Sequence, residues 1–248
     1  MSAISPLSEI TVAILAGGLG TRLRAVVGEH PKVLAEVNGR PFLTLLLRRL
    51  ESFGFRRVVL CTGYKTDEVE YAIGRRFGEL SIVYSRERDP LGTGGALRQA
   101  LPFLQSERVL AMNGDSFCEV DLEGLCASHA ARKAGASLAL AWVDDRSRFG
   151  QVQISETGQI TAFTEKSGAG GGGWINAGIY LIERKLIQLL PANLTLSLER
   201  EVLPMWIAQG VYGFKAQGRF LDIGTPESYA LAQIESFFES RAAESVLA

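Results

Sequence analysis

The chain has 248 residues, of which 47% are hydrophobic, 21% charged and 8% aromatic, which is ordinary for a globular protein with a full hydrophobic core. Its 26 basic residues are balanced by 27 acidic ones, and this formal charge of −1 argues against a nucleic-acid partner, which would require a basic excess. No apolar run approaches the roughly 20 residues that cross a bilayer, and residues 1–8 carry no export signal, so we expect a cytoplasmic protein without a membrane partner.

Cysteine and histidine are scarce. Cys61, Cys118 and Cys126 have no metal-ligand spacing and are expected to be buried free thiols. His30 and His129 are the only histidines and are far apart in sequence. The sequence therefore disfavours a histidine metal cage and a serine–histidine relay.

The first half of the chain alternates strand and helix patterns. Strands are predicted at residues 10–16, 58–62, 82–84 and 109–112, and helices at residues 41–53, 66–77 and 94–103. Such alternation is typical of βαβ units. It predicts an α/β fold with a Rossmann-like, mostly parallel mixed sheet flanked by helices.

The second half is richer in strands. The patterns predict strands at residues 137–143, 151–154, 159–164 and 175–181, and a last helix from Pro226 to about residue 240. Residues 168–173 (GAGGGG) are a glycine loop, which is either a mobile flap or an ordinary hairpin loop. No internal repeat is present. We therefore expect one domain over residues 1–248, with an α/β half (about 10–135) and a β-rich half (about 136–240).

A glycine-rich turn follows the first predicted strand, in the string LAGGLGTRL at residues 15–23. Glycines let backbone N–H groups approach a phosphate, and Arg22 and Lys32 would add positive charge there. Gly18 and Gly20 fit a dinucleotide fingerprint, but Leu23 stands where its third glycine belongs, and no P-loop Gly-Lys-Ser/Thr follows. A tight turn with surface basic residues is the structural alternative.

This string, together with PKVLAEVNGRPFL at residues 31–43, resembles the signature of the sugar-1-phosphate nucleotidylyltransferases. Similar motifs follow in the family's order: LGTGGA at 91–96, NGD at 113–115, FG at 149–150, EK at 165–166, NAGIY at 176–180 and LDIGTP at 221–226. Singly, Asp115 could cap a turn, Asp222 could initiate a helix, and Glu165 with Lys166 could be a solvated pair. The shared order favours the family.

The resemblance implies transfer of a nucleotide from a nucleoside triphosphate to a sugar 1-phosphate with Mg²⁺ as cofactor. It makes the first half nucleotide-binding and the second half sugar-phosphate-binding. The implied nucleotide contacts are Leu15, Ala16, Gly17, Gly18, Gly20, Thr21, Gly92, Thr93, Asn113 and Gly114. The implied catalytic residues are Arg22, Lys32, Asp115 and Asp222, the two aspartates being the metal ligands. The implied sugar-phosphate contacts are Gly150, Glu165, Lys166 and Asn176.

Within the family, segments 91–96, 112–116, 196–204 and 220–229 are most similar to D-glycero-D-manno-heptose 1-phosphate guanylyltransferases, which implies GTP as the nucleotide. Mannose-1-phosphate guanylyltransferase and glucose-1-phosphate thymidylyl- or uridylyltransferase are the alternative activities. Glu87 is a candidate acceptor for guanine, and Arg200 is a candidate phosphate ligand.

Two further classes of protein fit the sequence less well. A non-catalytic nucleotide-sugar-binding protein is disfavoured because Lys32, Asp115 and Asp222 are all present. A nicotinamide-dependent oxidoreductase is disfavoured because the second strand ends in LCTG at residues 60–63, without the acidic residue expected there. A homo-oligomer is compatible with the sequence.

Overall fold

The computed structural model describes residues 6–18, 20–164 and 171–234. Its strands are β1 (Thr11–Leu15), β2 (Glu36–Val37), β3 (Arg40–Pro41), β4 (Arg57–Thr62), β5 (Arg76–Phe77), β6 (Leu80–Arg86), β7 (Arg108–Asn113), β8 (Ser116–Cys118), β9 (Ala136–Val143), β10 (Gln151–Ile154), β11 (Ile160–Thr164), β12 (Gly173–Glu183), β13 (Val211–Lys215) and β14 (Phe220–Asp222). Its α-helices are α1 (Arg24–Val27), α2 (Phe42–Ser52), α3 (Thr66–Ile73), α4 (Gly92–Gln99), α5 (Leu122–Arg132), α6 (Arg184–Gln188), α7 (Leu203–Trp206) and α8 (Pro226–Ala232).

One large sheet runs through both halves of the described chain. Its order is β11-β10-β12-β7-β1-β4-β6-β5, and β9 joins it beside β12 and in turn pairs with β13. β1 is parallel to β4 and β7, and β4 is parallel to β6, whereas β12 joins β7 antiparallel. The predicted mixed sheet with a strand-rich second half is confirmed.

The core lies on both faces of the central strand β1. Val12 and Ile14 face one hydrophobic cluster, which includes Leu43 and Leu47 of α2, while Ala13 faces a second cluster that includes Leu97 of α4. Because strand side chains alternate between faces, a strand covered on both sides needs an unbroken apolar run. This explains the continuous ITVAILA pattern.

Glycines with a positive φ lie just after the ends of α2 and α3. α2 ends before Gly54, which has φ +86° and acts as the predicted stop. The helix predicted over residues 66–77 is wrong in its last part. It ends at Ile73 because Gly74 takes φ +75°, and Arg76–Phe77 instead form β5, antiparallel to β6.

The strands β8 and β14 form a separate small sheet that sequence patterns do not predict. They pair antiparallel, with Asp222 opposite Ser116. This pairing brings the segment after β7 next to the segment before α8. α8 then begins at Pro226, capped by Thr225 in a reciprocal hydrogen-bonded box with Ser228.

Candidate active site

The carboxyl ends of the parallel strands form one wall of a cleft. Leu15, Arg86 and Asn113 end β1, β6 and β7, and the residues just beyond them border a cavity of about 260 Å³, which we call the glycine-loop cavity. Open α/β sheets bind ligands at this edge. Of the predicted nucleotide contacts, this cavity contains Leu15, Ala16, Gly17, Gly18, Gly92, Thr93 and Asn113, together with Lys32 and Asp115.

Glu87 enters the same cavity. Its Oε2 accepts a 2.9 Å hydrogen bond from Leu91 N, and a Cβ on Gly17 would lie 2.6 Å from its Oε1. Only glycine at position 17 therefore lets this carboxylate lie against the loop. Burial raises the pKa of Glu87 above its ordinary value, and the Leu91 N–H opposes this in part.

Lys32 joins the two predicted catalytic carboxylates. Its Nζ donates to Asp115 Oδ2 at 2.6 Å and lies 3.7 Å from Asp222 Oδ1. The pairing of β8 with β14 sets this distance, aided by a 3.0 Å bond from Ile223 N to Asp115 O. Gly224 N donates to Asp222 Oδ1 at 2.6 Å, which orients that carboxylate. The aspartates, 107 positions apart in sequence (222 minus 115), thus share one cation.

A wider space, which we call the carboxylate compartment, lies beside the two aspartates. It measures about 570 Å³ and is lined by Arg22, Asp115, Asp222, Gly150 and Asn176 among the predicted residues. Gly92, Thr93 and Asn113 line both this compartment and the glycine-loop cavity, so the two spaces adjoin. The cleft therefore has positive and negative groups beside each other at its centre.

A third space of about 550 Å³, which we call the remote compartment, adjoins the carboxylate compartment. The two share Asn113, Phe149, Gly150, Asn176, Glu199 and Arg200. Asn113 lines all three spaces, and its Oδ1 is buried without a hydrogen-bond partner in the described chain. An acceptor that is buried without a partner is uncommon in folded proteins, and this one marks the junction of the three spaces.

Other predicted residues lie beside the cleft or outside the described chain. Gly20 lies against Lys32, and Thr21 is exposed. Gly114 backs the cleft with a 2.9 Å bond to Leu15 O. Glu165 and Lys166 lie outside the described residues, as do residues 168–170 of the glycine loop.

Sequence reasoning missed two polar side chains of the cleft. Glu199 lies on a π-helical turn, Leu198–Val202, which is a distortion frequent at functional sites. Arg148 lines the carboxylate compartment, where its guanidinium donates to Thr225 Oγ1 at 3.1 Å. Their only sequence signal was position, in the segment 196–204 and directly before Phe149 and Gly150.

Neither histidine lines the three spaces. His30 is exposed, and His129 is buried between Ser137 and Glu183. The three cysteines are buried and free, as predicted. None of the helices in the described part of the chain is long and apolar enough to cross a membrane.

A mixed α/β sheet whose parallel strands end at a glycine loop, with a lysine shared by two aspartates beside it, defines an enzyme that handles phosphates. The comparisons make this specific: the family model described as nucleotidyl transferase matches residues 11–236, and the chain belongs to that family.

Two related proteins and one solved structure are similar to this chain over most of its length. It is 38% identical to a D-glycero-alpha-D-manno-heptose 1-phosphate guanylyltransferase of Aneurinibacillus thermoaerophilus, covering 90% of this chain and 96% of the relative. It is 37% identical to a mannose-1-phosphate guanylyltransferase of Mycobacterium tuberculosis, covering 89% of this chain and 63% of that one. The crystal structure of HddC from Yersinia pseudotuberculosis complexed with GMP-PN has a TM-score of 0.82 and 33% identity, covering 90% and 98% of the two chains.

Proposed function

We propose that this chain is a Mg²⁺-dependent guanylyltransferase that converts GTP and D-glycero-D-manno-heptose 1-phosphate into a GDP-heptose and pyrophosphate. The observation that carries the proposal is the placement of Lys32 between Asp115 and Asp222, where the glycine-loop cavity meets the carboxylate compartment. Coverage of 96% of the heptose-specific relative supports the sugar assignment.

In this reaction an oxygen of the sugar phosphate attacks the α-phosphorus of GTP. A new P–O bond forms, and the bond from the α-phosphorus to the bridging oxygen breaks, so pyrophosphate leaves with the electron pair. The attacking oxygen is already ionised at neutral pH, so no general base is needed. This agrees with the absence of His30 and His129 from the linings of the three spaces in the described chain.

The cleft's charged residues bring the two anions together and offset their charge. Arg22 and Lys32 neutralise the triphosphate and the departing pyrophosphate. Lys166, with Glu165 at the sugar hydroxyls, is assigned to the attacking phosphate by resemblance alone. Gly150 and Asn176 line both compartments, which supports their assignment to the sugar.

The donor set fits Mg²⁺. Asp115 and Asp222 already share one cation, the Lys32 ammonium, and carboxylate oxygens are the protein ligands that Mg²⁺ prefers. Within the described chain no group of three or more His, Cys, Asp and Glu side chains could hold a metal, so Asp115 and Asp222 would hold the ion together with ligands from outside this set. When bound, Mg²⁺ supplies Lewis-acid stabilisation of charge on the phosphates.

Guanine selection is assigned to Glu87. Guanine presents N1–H and an exocyclic amine as adjacent donors, and the Glu87 carboxylate is the acidic side chain of the glycine-loop cavity away from Lys32. One oxygen already binds Leu91 N, which fixes the orientation of the other toward the loop.

The test is pyrophosphate release with Mg²⁺ across GTP, dTTP, UTP, CTP and ATP, each with heptose, mannose and glucose 1-phosphates. We expect one strong combination, GTP with the heptose. A strong GTP–mannose result would favour the second candidate, which the 37% identity to the mycobacterial enzyme supports. No release from folded protein in any combination would overturn the proposal.

A further inference from the structure

The remote compartment lies away from the reacting groups. Its lining in the described chain does not include Lys32, Asp115, Asp222 or Arg22, although it adjoins the carboxylate compartment, which Asp115 and Asp222 line. A sugar 1-phosphate whose phosphate lay near the aspartates would therefore have this space beside its far carbons.

The walls of the remote compartment are chemically mixed. Val152, Phe163 and Pro204 supply apolar surface, and Tyr180 and Glu199 supply polar groups. Apolar walls with a few fixed polar groups suit the C–H faces and hydroxyls of a polyhydroxylated ligand. Glu199 is the acidic side chain in this lining and is partly exposed.

Glu199 is held on three sides and keeps one acceptor position. Its Oε2 accepts from Thr93 Oγ1 at 2.8 Å and from Ser197 Oγ at 3.3 Å. Its Oε1 accepts from Tyr180 OH at 3.1 Å, and that hydroxyl is itself fixed by a 2.9 Å bond from Asn176 Nδ2. Because an ionised carboxylate offers about four acceptor positions, Oε1 has capacity for one further donor.

We propose that Glu199 is a specificity-determining residue that accepts a hydrogen bond from a sugar hydroxyl remote from the phosphate. This inference rests on the proposed function and adds to it the residue that discriminates between sugars. A manno-heptose carries one more hydroxyl-bearing carbon beyond the ring than mannose does. Glu199 Oε1, held in place in the remote compartment, would accept a hydrogen bond from that extra hydroxyl and so favour the heptose.

The experiment compares Glu199→Gln with Glu201→Gln, which makes the same charge change on the same π-helical turn. Glu201 is exposed and binds Ser197 N, a bond that an amide oxygen preserves. We expect Glu199→Gln to raise the KM for heptose 1-phosphate at least tenfold and to leave the KM for GTP within twofold. The kcat/KM preference for heptose over mannose 1-phosphate should shrink by a similar factor, and Glu201→Gln should match the wild type.

A uniform loss with both sugars, or an unchanged sugar KM, would overturn the role of Glu199 and leave the proposed function standing. Should Glu199→Gln fail to fold, Glu199→Asp is the alternative variant, because it keeps the charge and withdraws the carboxylate. It should give the same selective rise in the KM for heptose 1-phosphate. An unchanged KM in this variant would overturn the role of Glu199. A wild type that turns over no pair overturns the proposed function and this inference with it.

Discussion

Lys32 and Asp115 form a 2.6 Å ion pair in which the lysine side chain is only 10% exposed, while that of Asp115 is 38% exposed. The same ammonium lies 3.7 Å from Asp222 Oδ1. Two carboxylates side by side repel each other, so Lys32 holds the pair together when no metal is bound. If the proposed Mg²⁺ binds these carboxylates, it would compete with the Lys32 ammonium for them, and Lys32 would then be able to contact substrate phosphates.

Replacing Lys32 by Met should separate its contribution to turnover from its competition with Mg²⁺ for the two carboxylates. Turnover should fall on the order of 10²–10³-fold, because one preorganised charge is lost. The rise in melting temperature caused by Mg²⁺ without nucleotide should exceed that of the wild type, because the competing cation is gone. Differential scanning fluorimetry with and without MgCl₂ measures this, with Lys215→Met, a surface lysine above the Trp174 ring, as control. A smaller Mg²⁺ shift than in the wild type would contradict the competition.

Asp115→Asn and Asp222→Asn should each lower turnover at least 10²–10³-fold and leave the protein folded. Each removes half of the charge that would hold Mg²⁺, so the Mg²⁺ concentration for half-maximal rate should also rise. Pyrophosphate release titrated with MgCl₂ gives both quantities. Asp67→Asn changes an aspartate exposed on the surface beside Arg86 and should match the wild type. Near-normal turnover in either aspartate variant would remove that residue from the mechanism.

Glu87→Gln should weaken GTP binding selectively. An amide presents one acceptor and one donor to the two adjacent donors of guanine, so the KM for GTP should rise about tenfold to a hundredfold. The KM for the sugar phosphate should stay within twofold. Because the pKa of Glu87 is raised, the wild type should lose GTP affinity as pH falls through that pKa, whereas the variant should not. Equal losses for both substrates would argue against base recognition.

The sequence predicts the glycine-loop side of the cleft well. Gly17, Asn113 and Asp115 each follow a predicted strand within three residues, and parallel strands place their carboxyl ends at one edge. Long apolar runs such as residues 10–16 predict these strands without any reference to a protein family. The position of the loop beside Asp115 is therefore a consequence of local patterns.

The residues on the opposite side of the cleft cannot be placed from local sequence patterns. Asp222 meets Asp115 only through β8 and β14, each three residues long, which is too short for a periodic signal. Before the structure, only the family resemblance linked the two aspartates. Glu199 lies on a π-helical turn, whose geometry has no sequence signature, and its partners Thr93 and Tyr180 are distant in the chain.

Gly178 sets the bend of β12 beside the cleft. It has φ +74°, and a Cβ there would lie 2.7 Å from Asn113 Nδ2 and 3.0 Å from Ser116 Oγ. Gly178→Ala should therefore destabilise the fold by about 1–2 kcal/mol from the backbone conformation alone and also displace Asn113. The matched control is Gly39→Ala, where φ is +73° and the added Cβ meets nothing within 4 Å. Urea unfolding should show a cost in both variants, whereas pyrophosphate release should fall only for Gly178→Ala.

His129 is a buried titratable group away from the cleft. Its Nδ1 lies 2.9 Å from Ser137 Oγ and its Nε2 lies 3.2 Å from Glu183 Oε1, and the side chain is 2% exposed. Burial lowers the pKa of His129, although the Glu183 carboxylate opposes the shift, and the charges of Arg108 and Lys185 add to it. The folded state therefore favours the neutral imidazole.

This shift makes stability depend on pH in a defined direction. The unfolded chain takes up the proton near pH 6.5, whereas folded His129 resists it, so the unfolded state binds more protons as pH falls below about 6.5. The stability tied to neutral His129 is thus present above that pH and is lost as pH falls toward the lowered pKa. His129→Gln should be less stable than the wild type at pH 7.5 but should lose less stability between pH 7.5 and 5.5. Urea unfolding at both pH values measures this. An unchanged slope in His129→Gln would show that the folded protein accepts the proton as readily as the unfolded chain.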